Sequence, residues 1–218
     1  MPAALEPAKR SRPARATSAQ RRHARQTGTP IFAVDFRALT VERGKFIRFC
    51  MDNKDLRIEL SAQGELNIMP PTGGETGRKN SNLNLDLGLW ARGDDTGLCF
   101  DSSTEFELPN GAFRSPDASW ILKERYYKLT LAERKKFPPI CPDFVLELRS
   151  ESDRLPPLKE KMAEYIANGA RLGWLIDPRK RRVYIYRPHS EVEVLHHPAT
   201  VSGEDILPDF ILQLAEIW

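Results

Sequence analysis

Alternating apolar and polar positions predict β-strands in two parts of the chain. Arg57–Leu60 and Glu65–Met69 alternate on either side of Gln63-Gly64, which is the pattern of a β-hairpin. The same two-residue period predicts further strands at 97–108, 116–122, 144–149, 172–176 and 182–186. Within 144–149 this period places Val145, Glu147 and Arg149 on one face of the strand.

A helix is predicted between the hairpin and the later strands, at 72–93. Leucines at alternate positions from 83 to 89 would also suit a strand, but Leu83 and Leu87 follow helical spacing. Leucine is also a good helix former. The helix is therefore preferred, with Leu85 and Leu89 broadening its apolar face.

Three more segments have helical character. Pro156-Pro157 precedes a one-sided apolar stripe at 158–168, and Asn168-Gly169 supplies its stop signal. A polar helix is predicted at 130–137, and 40–52 suits either a short amphipathic helix or an irregular leading segment. The strand–helix–strand order through 144–176 predicts an α/β (α+β) fold, with a mixed sheet flanked by helices. Glu147 would lie near the carboxyl end of its strand, where such sheets usually place their sites.

Composition and charge divide the chain unequally. With 218 residues and 40% hydrophobic residues, the chain can bury one sizeable core, so residues 31–218 are expected to form a single domain. Residues 1–30 form a basic tail without an apolar stretch and are expected to be disordered. Residues 1–28 carry a net charge of +6 and the remainder −3. A nucleic-acid partner would therefore need a local basic patch on the body, and the tail either contacts phosphates or only aids solubility.

Cysteine usage and hydropathy point to a soluble, cytoplasmic protein. Cys50, Cys99 and Cys141 are odd in number and widely spaced, without a Cys-x-x-Cys pair, so we expect reduced core thiols. No apolar run approaches the length that crosses a bilayer.

Asp117 and Glu147 form the strongest candidate for a functional pair. They lie on strands that are expected to be neighbours, and both have apolar surroundings. An unpaired buried carboxylate is costly, and a hard cation with oxygen ligands would offset that cost. The pair therefore suggests a divalent metal and nuclease chemistry. A structural reading stays open, in which Asp117 caps a turn and Glu147 pairs with Arg149 or Lys161.

Several blocks of sequence together resemble a known family. These are Ser115-Pro116-Asp117, the segment 142–153, the helix with Lys161 and Tyr165, and the segment 173–178. They resemble the Uma-type restriction endonuclease family of the PD-(D/E)XK nuclease superfamily, in the same order over roughly residues 35–218. The resemblance implies a mixed sheet with flanking helices and magnesium-dependent cleavage of DNA.

The resemblance also implies roles for individual residues. Asp117 matches the aspartate of the superfamily motif, Glu147 its second acid, and Lys161 the lysine of the following helix. The superfamily commonly has lysine two residues after the second acid, where this chain has Arg149. The catalytic cation is therefore either Lys161 or Arg149. A further acid is expected from the first helix, with Glu75 as the choice and Glu59 as the alternative.

The leading hypothesis is a metal-dependent endodeoxyribonuclease. Asp117 and Glu147, with the backbone carbonyl of Leu148 as a third ligand, would hold Mg²⁺, for which Mn²⁺ can substitute. DNA is the expected partner, no membrane is expected, and a homodimer is left open. The alternative is a catalytically inactive nuclease-fold protein that binds nucleic acid or another protein.

Overall fold

The structure is a computed structural model that describes residues 32–35 and 42–218. The predicted disorder at 1–30 lies outside the described residues. The strands are β1 (Phe32–Asp35), β2 (Arg57–Leu60), β3 (Glu65–Met69), β4 (Gly97–Asp101), β5 (Phe106–Glu107), β6 (Phe113–Arg114), β7 (Ala118–Leu122), β8 (Phe144–Leu148), β9 (Leu172–Asp177), β10 (Arg182–Tyr186), β11 (Glu193–His196), β12 (Thr200–Ser202) and β13 (Ile211–Gln213). The helices are α1 (Arg43–Asp52), α2 (Gly74–Asp94), α3 (Lys123–Tyr126), α4 (Leu131–Arg134) and α5 (Leu155–Ala167).

A smaller antiparallel sheet follows the order β1-β3-β2-β6-β5. Its centre is the hairpin of β2 and β3, whose predicted bounds are confirmed, with Arg57 opposite Met69. The hairpin turns at Gly64, which has φ +85°, a conformation that glycine adopts at little cost. Helix α1 buries Phe46 and Ile47 against this sheet.

The larger sheet is mixed and follows the order β11-β10-β9-β8-β7-β4. Strands β8 and β9 are parallel and are joined by the crossover helix α5, as predicted. Leu83 and Leu87 of α2 belong to the core on one face, with Leu146 of β8. Met162 of α5 belongs to the core on the other face, with Val145 of β8. The predicted mixed sheet flanked by helices is confirmed.

Several predicted elements need correction. The strand predicted at 97–108 divides into β4 and β5, because a turn at Asp101–Thr104 sends the chain to the other sheet. The helix predicted at 130–137 shortens to the four residues of α4, which Thr130 begins with a capping box. Helix α5 begins at Leu155, earlier than predicted, because its two prolines fit the first turn. Strands β1, β6 and β11 to β13 and the short helix α3 were not predicted.

The predicted apolar face of α2 is too broad. Leu85 and Leu89 are 57% and 58% exposed, whereas Leu83, Leu87 and Ala91 are buried. The buried residues recur every four positions, so only one narrow stripe of the helix meets the sheet.

Within the residues that the structure describes, no helix has the length and apolar character needed to cross a membrane.

The sheet directions bring several chain segments to one edge. Strands β8 and β9 end there, and the antiparallel strand β7 begins there. The turn between β9 and β10 lies at the same edge, because β10 runs antiparallel to β9. The candidate site is built at this edge.

Candidate functional site

Asp117 and Glu147 lie beside each other at the edge where β7 begins and β8 ends. The register pairs Ala118 of β7 with Leu146 of β8. Asp117 precedes Ala118 and Glu147 follows Leu146, so in this antiparallel pair both acids lie one residue nearer the same sheet edge. Asp117 Oδ2 accepts a hydrogen bond from the Leu148 backbone N–H at 2.8 Å. Glu147 is only 4% exposed. The strand pairing therefore places two buried carboxylates at neighbouring positions.

Two asparagines of helix α2 donate hydrogen bonds to Asp117. Asn80 Nδ2 donates to Asp117 Oδ1 at 3.3 Å, and Asn84 Nδ2 donates to the Asp117 backbone oxygen at 2.9 Å. Asn80 Oδ1 is buried and has no hydrogen-bond partner among the described residues. An unsatisfied buried oxygen beside a carboxylate is costly unless a ligand or water meets it.

Helix α5 supplies the side chains that hold Glu147. Lys161 Nζ lies 2.8 Å from Glu147 Oε1, and the Tyr165 hydroxyl donates to the same oxygen at 3.1 Å. The two donors are four residues apart, which places them on one face of the helix. In the part of the chain that the structure describes, Glu147 Oε2 makes no hydrogen bond. One oxygen of Glu147 is thus fixed and the other stays available.

Glu59 of β2 joins the site from the smaller sheet. Its Oε1 accepts from Lys161 Nζ at 2.9 Å and from the Ser115 backbone N–H at 2.9 Å. Its Oε2 accepts from Arg114 Nη1 at 3.3 Å. Arg114 also binds Glu164 at 2.6 Å. Both Glu59 oxygens are therefore occupied, and Glu59 acts as a holder for Lys161.

Burial and neighbouring charges shift the pKa values of these groups in opposite directions. Burial, helped by the neighbouring Asp117 and Glu59 carboxylates, raises the pKa of Glu147 to about 7 against the opposing charge of Lys161. Burial also raises the pKa of Asp117, although Arg57 opposes the shift. Glu59 behaves differently, because Lys161 and Arg114 outweigh its burial and lower its pKa to about 2. Glu147 and Asp117 are thus the acids with too little positive charge around them.

Lys161 remains a cation despite its burial. Burial alone would lower the pKa of its ammonium group, but the Glu147 and Glu59 carboxylates outweigh this and raise the pKa. A further acid, Glu105, is buried nearby, and burial raises its pKa to about 9, with Glu59 adding to the shift. Glu105 is therefore neutral at pH 7, and no sequence pattern indicated its place in the site.

The structure places the two candidates for a further acid differently. Glu75 does not join the described cluster, because its side chain is 83% exposed at the start of α2 and pairs with Arg78 at 3.5 Å. Glu59 occupies the place expected of a further acid, on a strand rather than a helix. The pattern of a helix start favoured Glu75, whereas Glu59 was recognisable only as a charged residue on the inner face of a hairpin.

Arg149 lies outside the cluster, one residue beyond β8. Its Nη1 binds Asp177 Oδ2 at 2.7 Å, and its Nε donates to the Asp153 backbone oxygen at 3.2 Å. Of the two cations considered as ion-pair partners of Glu147, Lys161 therefore makes the contact and Arg149 does not. Arg149 instead ties the end of β8 to the end of β9.

The donor set fits a divalent cation. Glu147 Oε2 and the buried, unpartnered Asn80 Oδ1 are hard oxygen donors next to Asp117, which suit Mg²⁺ or Mn²⁺. Among the described residues, no group of three or more His, Cys, Asp or Glu side chains forms a complete metal-ligand set. Water or substrate oxygens would therefore complete the coordination, as is common for Mg²⁺.

A mixed sheet flanked by helices, with a buried acid pair at its edge and a lysine from the crossover helix, has the architecture of the restriction-endonuclease-like fold. The comparison with family models agrees. Residues 43–215 match the Uma2 model, described as "Putative restriction endonuclease", so the chain belongs to the Uma2 family.

A solved structure has the same fold. The crystal structure of a putative nuclease belonging to DUF820 from Anabaena variabilis is similar, with a TM-score of 0.63 and 19% sequence identity. The match covers 73% of this chain and 88% of that chain. No curated protein matches this chain.

Proposed function

We propose that this protein is a metal-dependent endodeoxyribonuclease. The observation that carries the proposal is the pairing of Asp117 with Glu147, together with the Lys161 ammonium group bound to one oxygen of Glu147. Membership of the Uma2 family supports nuclease activity in general. DNA as the substrate and the dependence on a metal are the specific parts of the proposal.

The metal ligands would be Asp117 and Glu147, with the Leu148 backbone carbonyl as a further candidate. Mg²⁺ is the proposed ion, and Mn²⁺ would substitute for it. When bound, the ion polarises the scissile phosphate and lowers the pKa of the attacking water. The excess of buried carboxylates over cations at Asp117 and Glu147 supports this assignment, because a divalent charge would offset their mutual repulsion.

The protein side chains position the reaction. Tyr165 and Lys161 fix Glu147 through Oε1, which leaves Oε2 without a hydrogen bond among the described residues. Lys161 orients the attacking water or stabilises negative charge in the transition state, and Glu59 keeps its ammonium group in place. No covalent intermediate is needed, because water attacks the phosphate directly.

The choice between Lys161 and Arg149 favours Lys161. The Arg149 guanidinium is committed to Asp177, which is fully buried. Breaking this ion pair would leave an uncompensated buried charge, which is expensive. Lys161 already touches Glu147 and needs no such rearrangement.

The direct test is cleavage of supercoiled plasmid by purified protein. We expect nicking or cutting with Mg²⁺ or Mn²⁺, and none with EDTA. Asp117→Asn should abolish cutting without unfolding the protein, because it removes a ligand charge at almost constant volume. Asp95→Asn, an exposed aspartate in an ion pair with Lys123, is the matched control and should cut normally. Full activity of Asp117→Asn would reject the proposed site.

A second function has some specific support. Among the described residues, no three acid, histidine or cysteine side chains form a group that could hold a metal ion. This observation suits an inactive nuclease-fold protein that binds nucleic acid or another protein. Metal binding in calorimetry, with no cleavage of duplex, branched or single-stranded DNA, would favour this alternative.

A further inference from the structure

We propose that the turn between β9 and β10 is a phosphate-binding surface that docks the DNA backbone beside the candidate site. The turn carries consecutive basic residues from Arg179 to Arg182. We call its exposed part, Arg179, Lys180 and Arg181, the basic turn. The proposal rests on DNA as the substrate and adds the surface that holds it.

The basic turn lies at the same sheet edge as the acid pair. Strands β8 and β9 are parallel, with Leu148 opposite Ile176, so both end at this edge. Asp177 connects the basic turn to the end of β8 by hydrogen bonds. Its Oδ2 accepts from Arg149, which directly follows β8, and its Oδ1 accepts from the Lys180 backbone N–H at 3.3 Å. The buried Asp177 therefore fixes the basic turn relative to the strand that bears Glu147.

The charges of the basic turn are largely free for a ligand. Lys180 and Arg181 are exposed and form no ion pair within the described residues. Arg179 contacts the exposed Glu151 twice, since its Nε lies 3.8 Å from the carboxylate and its Nη1 donates to the backbone oxygen at 3.3 Å. Consecutive cations without partners repel each other, and a bound polyanion would relieve that repulsion.

The neighbouring strand extends the same surface. His197 N–H donates to the Arg181 backbone oxygen at 2.8 Å, and His196 lies opposite Arg182. Both imidazoles are exposed. The edge thus carries exposed side chains able to donate to phosphates on the basic turn and on the strand next to β10.

A DNA backbone matches this arrangement better than an isolated anion. Residues outside the tail carry a net charge of −3, so the protein body cannot attract DNA by its overall charge. A scissile phosphate at Glu147 would bring the adjoining phosphates of the same strand along this edge. DNA carries closely spaced charges, roughly one per 1.7 Å of duplex axis, which suits cations on successive residues.

The test compares two double variants with equal loss of charge. Lys180→Gln/Arg181→Gln alters the basic turn, and Lys135→Gln/Lys136→Gln alters exposed lysines that directly follow α4. Binding of a fluorescent duplex is measured by anisotropy in EDTA, between 50 and 200 mM salt. We expect the basic-turn variant to lose about tenfold in affinity, with a salt slope smaller by about 2, since each phosphate contact contributes about 0.9. The control variant should stay within about twofold of the wild type.

The possible results are distinct. Equal losses in both variants would mean that only total charge matters, and an unchanged basic-turn variant would mean that DNA docks elsewhere; either result overturns the proposal. Failure of the wild type to bind any DNA would reject the proposed substrate as well. Because Arg181 has φ +45°, the single variant Lys180→Gln serves if the double variant misfolds, with about half the change in slope.

Discussion

The two ends of strand β8 each carry a buried acid, but the surroundings of these acids differ. Asp143 immediately precedes the strand and Glu147 lies near its end. Asp143 is fully buried and Glu147 is 4% exposed, so burial does not distinguish them. The distinguishing feature is the number of cations available to each carboxylate.

Two arginines lie near the Asp143 carboxylate, so cations outnumber acids around it. Arg125 lies 2.8 Å from its Oδ1 and Arg171 lies 3.9 Å from the same oxygen. The Leu122 backbone N–H donates to Oδ2 at 3.0 Å. Arginines thus compensate the charge of Asp143, although its Oδ1 makes no hydrogen bond among the described residues, and the carboxylate fastens the end of β7 to the start of β8.

Around Glu147, by contrast, carboxylates outnumber cations. It shares Lys161 with Glu59, and Asp117 adds a second carboxylate beside it. An excess of acids over cations, rather than the burial of an acid, therefore marks the candidate site on this strand.

The largest expected effect is the loss of cleavage in Glu147→Gln. We expect plasmid cleavage to fall about a thousandfold, the scale for losing an essential electrostatic group. Thermal unfolding should occur at the wild-type temperature or higher, because the repulsion with Asp117 disappears. Plasmid cleavage and differential scanning calorimetry measure the two quantities. A strongly destabilised variant would indicate that Glu147 has a structural role like that of Asp143.

Lys161→Ala should lower cleavage by about a hundredfold, the scale for one preorganised cation. Lys159→Ala, on the same helix, is the control and should have little effect, because Lys159 lies over the Tyr184 ring instead. Arg149→Ala should mainly weaken stability or DNA binding, because it breaks the ion pair with Asp177. Near-normal turnover of Lys161→Ala, with a folded but inactive Arg149→Ala, would reverse the assignment.

Asp143→Asn should destabilise the fold by about 2 kcal/mol, the scale for hydrogen bonds to a charged group. The affinity for Mn²⁺ should stay unchanged, because Asp143 is at the opposite end of β8 from the acid pair. Chemical denaturation and calorimetry measure the two effects. A loss of Mn²⁺ binding without a loss of stability would contradict the proposed division between the two ends.

The smallest effect concerns pH. The pKa of Glu147 is raised to about 7, so below that pH the carboxyl group is protonated and a metal must displace the proton. Affinity for Mn²⁺ should therefore rise about tenfold per pH unit up to about pH 7 and then level off. Glu147→Gln should bind more weakly and lack the break near pH 7. A wild-type affinity that is independent of pH between 5 and 7 would contradict this account.

The sequence predicted the sheet contacts that depend on local period. Alternation along 144–149 put Glu147 on one strand face. The Pro116-Asp117 start of the neighbouring strand, which comes earlier in the chain, put the Asp117 carboxylate beside it. The crossover helix with Lys161 followed from its apolar stripe and its prolines. These features are local, so period and turn signals are sufficient to find them.

The contributions from distant parts of the chain were harder to predict. Glu59 reaches the cluster because the smaller sheet packs against the crossover helix, and no local pattern encodes that packing. Glu75 was preferred because an acid at a helix start is a common signal, yet such an acid is often only solvated. The commitment of Arg149 to Asp177 likewise depends on the parallel pairing of β8 with β9.

The contact between Lys161 and Glu59 joins residues that are 102 positions apart. During synthesis, Glu59 emerges from the ribosome well before α5 exists, and long-range contacts of this kind form late in folding. A nascent or prematurely terminated chain that ends before Lys161 therefore cannot assemble the cluster. Any activity that depends on this cluster therefore begins only after translation has passed α5.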